Sequence, residues 1–558
     1  MTSMTSMTSM TSMKRSPEIE WLAAKWDLPE PAFEAVQRLM KAETEGSTAC
    51  ELPPGISKWG KAAVPETESS DAPLVIVEDK GKTFLQSRLL FEAEREIANR
   101  LLKLADGESP SQDLDKKLKA IFPETAKGDK QVEAARTAAS KNLTVITGGP
   151  GTGKTFTLAR ILALLAQDTM AAGAIRLAAP TGKAADRMKK AVIQSLAGLP
   201  ETFQKDQEIL TRIAESSSTI HSLLGYRPDT GRCRFDPENP LPCEVLILDE
   251  CSMVDVHLWR TLLRALPSQV RLILLGDPNQ LESVGQGNVF AELAHTAESL
   301  ESSLHPSHVH LTEARRFKDR RGISDFASAL ENSDPEAAAA LLENSRGDDS
   351  TSGLTWLETS GGTLPCASFP KPVLNALEKV ATAETPQAAL DALAGVCILT
   401  AQREYFVGSM ATSREIETFF SCREDAQNHP VIINRNDPET GLRNGSVGII
   451  HASSDGKRKA FFPSGDSLKE FPLSKLPEYS PAWAITIHRS QGSEYDNVLV
   501  ILPREESPMA TRELLYTAIT RARKNVYISG DLASVKKAAA TSSNRITLLS
   551  VALGGVNL

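Results

Sequence analysis

The sequence predicts an α/β protein, two tandem parallel-sheet cores behind a small, mostly helical N-terminal domain, with a β-hairpin insert and a second, barrel-like β insert. Three observations carry this. From Asp129 onward short apolar runs alternate with helical stretches, the pattern of parallel strands joined by crossover helices. The pattern occurs twice, over residues 129–298 and again over 299–558. The 558 residues, 41% of them apolar, suffice for about three or four domains.

Composition excludes several classes. A net charge of −9 rules out a uniformly basic nucleic-acid coat, though a local basic groove is compatible with it. No apolar run approaches the roughly 18 residues of a membrane span, so no membrane is expected. The seven cysteines are odd in number and have no C-x-x-C spacing, which argues against a disulfide framework or a zinc ribbon and for a reducing cytoplasm.

Each element follows from local pattern. Residues 1–13 repeat Met-Thr-Ser without an apolar core, which reads as a disordered tail and not a signal peptide. Within the N-terminal domain, 14–128, residues 32–40 and 91–104 have helical spacing, 74–77 is a short β-like run, and 46–71 reads as a loop. Glu78-Asp79-Lys80 reads as surface charge after an edge strand. The first core draws its strands from 143–146, 175–178, 245–248 and 271–275. Asp229-Thr230-Gly231 marks a hairpin within 226–242. The second core uses 397–399, 484–487, 498–501 and 526–528. Turns at Asp437-Pro438 and Asn444-Gly445 divide 430–473 into short strands, and 346–362 reads as a surface loop. His305, His308 and His310 read as surface residues.

The chemistry begins at Gly148-Gly149-Pro150-Gly151-Thr152-Gly153-Lys154-Thr155, a full G-x-x-x-x-G-K-[ST] between a strand and an apolar helix. Glycines let backbone N–H groups turn inward around phosphate oxygens at a helix N-terminus. Lys154 reaches the β- and γ-phosphates of ATP, and the Thr155 hydroxyl serves Mg²⁺. The run 245–248 ends in Asp249 and Glu250: one carboxylate for Mg²⁺, one as base for the attacking water. Gly276-Asp277-Pro278-Asn279-Gln280 ends another strand beside the P-loop, where Gln280 can address the γ-phosphate. Arg316 and Arg521 are the candidates for positive charge opposite it. A nucleoside-phosphorylating enzyme would need a second substrate site that the sequence lacks, and a merely structural ATP-binding subunit would not keep Lys154, Glu250, Gln280 and Arg521 together.

The ordered set, completed by Gln131, Pro180-Thr181-Gly182-Lys183-Ala184 and Thr486-Ile487-His488-Arg489-Ser490-Gln491-Gly492-Ser493-Glu494, resembles superfamily 1 DNA helicases. Thr219-Ile220-His221, Leu399-Thr400-Ala401-Gln402-Arg403 and Asn434-Arg435-Asn436-Asp437 bring the resemblance closer to the RecD family, the alpha subunits of RecBCD-type helicase–nucleases (exodeoxyribonuclease V). It covers about residue 131 to the C-terminus, and 73–102 more weakly. The resemblance implies RecA-like cores, an SH3-like insert at 430–473, a strand-splitting hairpin at 226–242 and 5′→3′ polarity in double-strand-end processing. It implies Gln131 at the adenine and Arg316 and Arg521 as arginine fingers, although Ala314-Arg315 stands where relatives have Ser-Tyr. It places Pro180, Thr181, His221, Thr486 and His488 along single-stranded DNA, with Lys183, Arg187, Lys189 and Lys190 adding charge. It implies duplex ends as substrate and RecB-like and RecC-like partners docked on the N-terminal domain; a stand-alone RecD-like helicase is the other reading.

Overall fold

The computed structural model describes Lys25 and residues 30–554, except 54–62, 67–70, 110–112, 123–128, 168–173, 201–202, 204–205, 314–319, 348–351, 360–363, 405–406, 424, 453–456, 466, 504–509 and 544. The repeat at 1–13 and the Arg315–Arg316 pair lie outside the described residues.

The N-terminal domain is a mixed α/β unit. Strands β1 (Ala49–Glu51), β2 (Ala63–Pro65), β3 (Leu74–Asp79) and β4 (Lys82–Ser87) form a sheet in the order β1-β4-β3-β2. The helices Glu30–Thr44, Arg88–Ala105 and Leu114–Ile121 hold more of its residues than these strands do. The expectation of a loop at 46–71 is corrected: two three-residue strands are too short to show an alternating pattern. The helix Arg88–Ala105 buries Leu90, Ala93, Glu94, Ile97, Leu101 and Leu104 at three- and four-residue spacing. That face belongs to the first core, where it packs with Trp259 of the helix Val256–Ala265.

The first core is a six-stranded, all-parallel sheet of β5 (Leu143–Gly148), β6 (Ile175–Ala179), β7 (Ser218–Thr219), β8 (Val245–Leu248), β9 (Arg271–Gly276) and β10 (His308–Leu311), in the order β10-β5-β9-β8-β6-β7. Alternate residues enter opposite layers: Leu246, Leu248, Leu272 and Leu274 on one face, Val245, Ile247, Ile273 and Leu275 on the other. Burial on both faces is why these strands read as continuous apolar runs. β10 carries the first sheet past residue 298 to Leu311 and removes His308 and His310 from the expected loop, because its register with β5 pairs His308 with Val145 and Leu311 with Gly148.

The second core contains β11 (Leu354–Glu358), β12 (Val396–Thr400), an inserted sheet, then β18 (Ala484–Thr486), β19 (Tyr495–Ile501) and β20 (Ala522–Gly530). It too is parallel, in the order β11-β20-β19-β12-β18. β11 lies inside the stretch expected to be loop; glycines and serines surround it, but Leu354, Thr355 and Trp356 are buried. The insert is a five-stranded antiparallel sheet, β13 (Asn428–Ile433), β14 (Val447–Ala452), β15 (Arg458–Ser464), β16 (Ser467–Pro472) and β17 (Tyr479–Pro481), with its own core of Val431, Ile433, Phe462 and Phe471. In 226–242 a single antiparallel bridge, Arg227 to Arg232, closes the turn in place of a two-stranded ladder.

Beyond the helix Leu532–Ala540 the chain crosses back to the N-terminal domain and the first core. Thr48 N donates to Ile546 O at 2.8 Å, Arg545 Nη1 to Gly285 O at 2.8 Å, and Ser550 N to Glu292 Oε2 at 3.0 Å. Leu549 and Leu553 complete the apolar layer under the helix Arg88–Ala105. The buried Glu94 carboxylate closes this junction, accepting from Thr48 Oγ1 and Gln86 Nε2, both at 2.7 Å, and from Leu548 N at 3.4 Å. Burial pushes the Glu94 carboxyl up to about 7 against those bonds.

Candidate active site and DNA track

The P-loop joins β5 to the helix Lys154–Ala166, with Gly151 and Gly153 in left-handed conformation (φ 79° and 88°). A side chain at Gly153 would collide with Gln131 Nε2, which donates to Thr152 O at 3.1 Å. Gln131 is buried against the loop and braces its backbone there. Lys154 Nζ donates to the carbonyls of Gly148 and, at 3.1 Å, Gly149, so the ammonium stands at the rim where phosphate oxygens enter. Thr152 Oγ1 donates to Gly149 O at 2.8 Å and fixes the turn between them.

β8 delivers Asp249 and Glu250 beside this loop. Asp249 Oδ1 accepts from Glu250 N at 2.9 Å. Burial first, and the Glu250 charge second, raise the Asp249 carboxyl above the ordinary range, while Lys154 and Arg187 oppose the shift. A buried carboxylate held near another is a group that gains from a cation. Asp249 and the Thr155 hydroxyl are oxygens of the type Mg²⁺ takes, and are the candidates to hold it. Glu250 has φ 55°, uncommon for a side chain with Cβ. Its Oε1 lies 3.6 Å from Arg187 Nη1.

The second core meets the first at the Gly276–Leu281 turn. Gln280 is buried; its Nε2 donates to Asp277 Oδ2 at 3.0 Å and its Oε1 accepts from Arg521 Nη2 at 2.8 Å. Arg521 is 2% exposed and donates from Nε to Thr517 O at 3.0 Å. Burial depresses its guanidinium, and the Glu250 charge opposes this. Thr517 Oγ1 accepts from Leu281 N at 2.7 Å, and Gln491 Nε2 donates to Leu281 O at 3.1 Å. Tyr516 hydroxyl reaches Asp277 Oδ2 (3.1 Å) and Glu331 Oε1 (2.9 Å), and a Cβ on Gly149 would lie 3.0 Å from it. A side chain at Gly149 would thus press on the Tyr516 hydroxyl where the cores approach. Nothing in the spacing of Tyr516 announces its approach to the P-loop.

The five residues expected along DNA sit at or just after the carboxyl ends of strands. Pro180 and Thr181 follow β6, and Thr181 Oγ1 accepts from Ala184 N at 3.2 Å to cap the helix Gly182–Leu196. His221 follows β7, which pairs with β6 through Thr219 and Ala179. It is exposed, with its ring edge-on to Tyr226 at 5.4 Å. Thr486 ends β18 at the edge of the second sheet and caps the short helix containing His488, whose imidazole burial shifts down. Further cations stand in the insert (Arg443) or on second-core residues held by it (Arg489 and Arg403). Arg443 Nη1 would lie 3.3 Å from a Cβ on Gly182, and Arg489 Nη2 donates to Asn434 Oδ1 at 3.1 Å. Arg403 Nη2 donates to Ser480 Oγ at 3.1 Å.

The histidine group lies elsewhere, beside a cavity of about 350 Å³ lined by Lys130, Glu133 and Thr137. His308 Nε2 and His310 Nδ1 both meet Thr147 Oγ1, at 2.8 and 2.9 Å. No group of three or more His, Cys, Asp or Glu placed to hold a metal occurs among the described residues.

Residues 131–286 match the AAA domain family and 481–529 the UvrD-like helicase C-terminal domain family. The RecBCD enzyme subunit RecD of Mycolicibacterium smegmatis is 36% identical over 434 residues, 75% of this chain and 74% of that one. The ATP-dependent RecD2 DNA helicase of Deinococcus radiodurans is 28% identical, over 84% of this chain and 59% of that one. A solved structure of two coordinating Pif1 helicases at forked duplex DNA covers 75% of this chain at 17% identity, with a TM-score of 0.37.

Proposed function

The chain belongs to the RecD family of ATP-dependent DNA helicases, and from that premise we propose how its residues divide the work. The observation that carries the assignment is the contact of Arg521 and Gln280 across the cores, directly beside the P-loop and the Asp249–Glu250 pair. Lys154 neutralises the γ-phosphate. Thr155 and Asp249 would hold Mg²⁺, which would supply positive charge against the phosphates. Glu250 takes the proton of the attacking water. Arg521, with Arg316 as second finger, stabilises charge developing on the transferred phosphoryl group, and Gln280 reports its presence to the second core. Gln131, through the P-loop backbone it braces, positions the nucleotide.

DNA lies across the strand ends of both cores. Pro180, Thr181 and His221 hold one part of a single strand, Thr486 and His488 the next, through sugar–phosphate contacts without base preference. Closure and opening of the cores over ATP then moves the strand, in the 5′→3′ sense. We further place the chain in a RecBCD-like complex acting at duplex ends, with RecB-like and RecC-like chains docked within residues 20–128 and the RecB-like chain supplying the nuclease. A cytoplasmic setting fits its seven free cysteines. No described helix is long and apolar enough to cross a membrane. The packing of the helix Arg88–Ala105 onto the first core favours the other reading, a self-contained motor. Native sizing and mass identification of co-purifying chains, with unwinding of 5′- and 3′-tailed duplexes, separates them. Two co-purifying chains and unwinding from a 5′ tail are expected. A monomer with full processive unwinding would overturn the complex, and unwinding only from a 3′ tail would overturn the polarity.

A further inference from the structure

Arg187 stands between the two cores with one nitrogen on each. It lies on the helix that Thr181 caps, one and a half turns into it, so its backbone belongs to the first core and to the helix that begins at the DNA track. Nη1 is 3.6 Å from Oε1 of Glu250, also of the first core. Nη2 donates to Oε1 of Glu494, in the loop before β19 of the second core. The other oxygen of Glu494 lies 3.5 Å from Arg523 Nε. The carboxylates of Glu250 and Glu494 are 16% and 9% exposed and the Arg187 side chain 36%, so water screens the guanidinium in part and the two carboxylates less. A guanidinium is a rigid planar fork: fixing one nitrogen fixes the direction of the other.

We propose that Arg187 is a positioning residue for Glu250, set by core closure. When the second core swings in, Glu494 takes one side of the guanidinium, and the opposite side holds the Glu250 carboxylate toward the attacking water. The water oxygen then bonds to the γ-phosphorus as the bond to the ADP oxygen breaks, and the water proton passes to Glu250. When the cores part, Glu494 leaves and the orientation is lost. Hydrolysis is thereby confined to the closed, strand-gripping state. The inference rests on the reading of Glu250 as the base.

The test uses the full chain in single-strand-stimulated ATP hydrolysis, with melting curves as a check on folding. Arg187→Ala should lower kcat about thirtyfold, a part of the roughly hundredfold or more that a general base contributes, with KM for ATP and binding of a fluorescent ATP analogue within about twofold. Arg187→Lys, which keeps charge but not the fork, should recover part of kcat. Glu494→Gln should lower kcat about tenfold, and Arg187→Ala/Glu494→Gln should be no slower than Arg187→Ala alone, because coupled residues are non-additive. Multiplying losses in the double variant, or a raised KM with kcat intact, would overturn the proposal. Faster hydrolysis without DNA in Arg187→Ala would also overturn it, since the pair would then be holding the base away. Glu250→Gln separates the two levels. If it turns over normally, the base assignment fails; if it is dead while Arg187→Ala is near normal, only the positioning role fails.

Discussion

Thr219-Ile220-His221 in the first core and Thr486-Ile487-His488 in the second are the same three residues at equivalent places. Each threonine ends an edge strand and caps a four-residue helix, with φ/ψ of −75°/153° and −73°/151°. Each hydroxyl accepts from the amide three residues on, Ser222 at 3.1 Å and Arg489 at 3.4 Å. The surroundings differ. His221 is exposed beside Tyr226 and the 226–242 turn, whereas His488 is half-buried near Arg545, and its neighbour Arg489 is held by Asn434 of the insert. A short sequence dictates a cap and a turn; what its histidine can do is set by residues far along the chain.

The comparison is broken most severely by removing the chemistry beneath both triplets. Lys154→Ala should cost at least about a hundredfold in stimulated ATP hydrolysis, the scale of one electrostatic contribution to a transition state. Single-strand affinity, measured by fluorescence anisotropy, should stay within a fewfold. Joint loss of both would mean that the triplets do not form a track independent of the ATP site. The next test addresses what only the first triplet has beside it. Replacing 227–235 by a short Gly-Ser turn should lower unwinding by about tenfold or more while sparing single-strand-stimulated hydrolysis, since the bridge between Arg227 and Arg232 lies outside the ATP cleft. Parallel loss would make the turn structural.

Smaller effects sharpen the likeness. Thr219→Val and Thr486→Val each remove a cap worth about 1 kcal/mol, and each should weaken single-strand binding by about fivefold at moderate salt. A loss confined to one of them would show that only one core grips through its triplet. The smallest effect concerns the frame. Glu94 holds its proton more tightly folded, to about pH 7, than unfolded. Its contribution is therefore complete below the ordinary carboxylate range and is lost as pH rises through about 7. Glu94→Gln should raise thermal stability at pH 8 by about 1–3 kcal/mol and leave it little changed at pH 5. An equal shift at both pH values would remove titration of this carboxyl as the cause.

What the sequence made legible follows the same division between local and distant causes. The P-loop and the Asp249–Glu250 pair each lie within one strand-turn segment, so their residue types alone announce them. β5, β6, β8 and β9 are buried on both faces and read as apolar runs. β10 does not, because His308 and His310 alternate with Val309 and Leu311 at a sheet edge. The helix Arg88–Ala105 was legible as a helix, but not as a wall of the first core, since Trp259 lies far along the chain. The contacts of Arg187, Glu494 and Tyr516 join separate cores, and no spacing rule reaches across them. Arg316, legible only through resemblance, lies outside the described residues.

The return of residues 545–553 to the first core sets an order of events in synthesis. Leu549 and Leu553 seal a layer whose sheet residue Leu143 is made about 400 residues earlier. At about 5–20 residues per second, that wall waits roughly 20–80 s on the ribosome with its apolar face uncovered. The nascent first core thus keeps part of that apolar face uncovered until the second core and residues 545–553 have been translated.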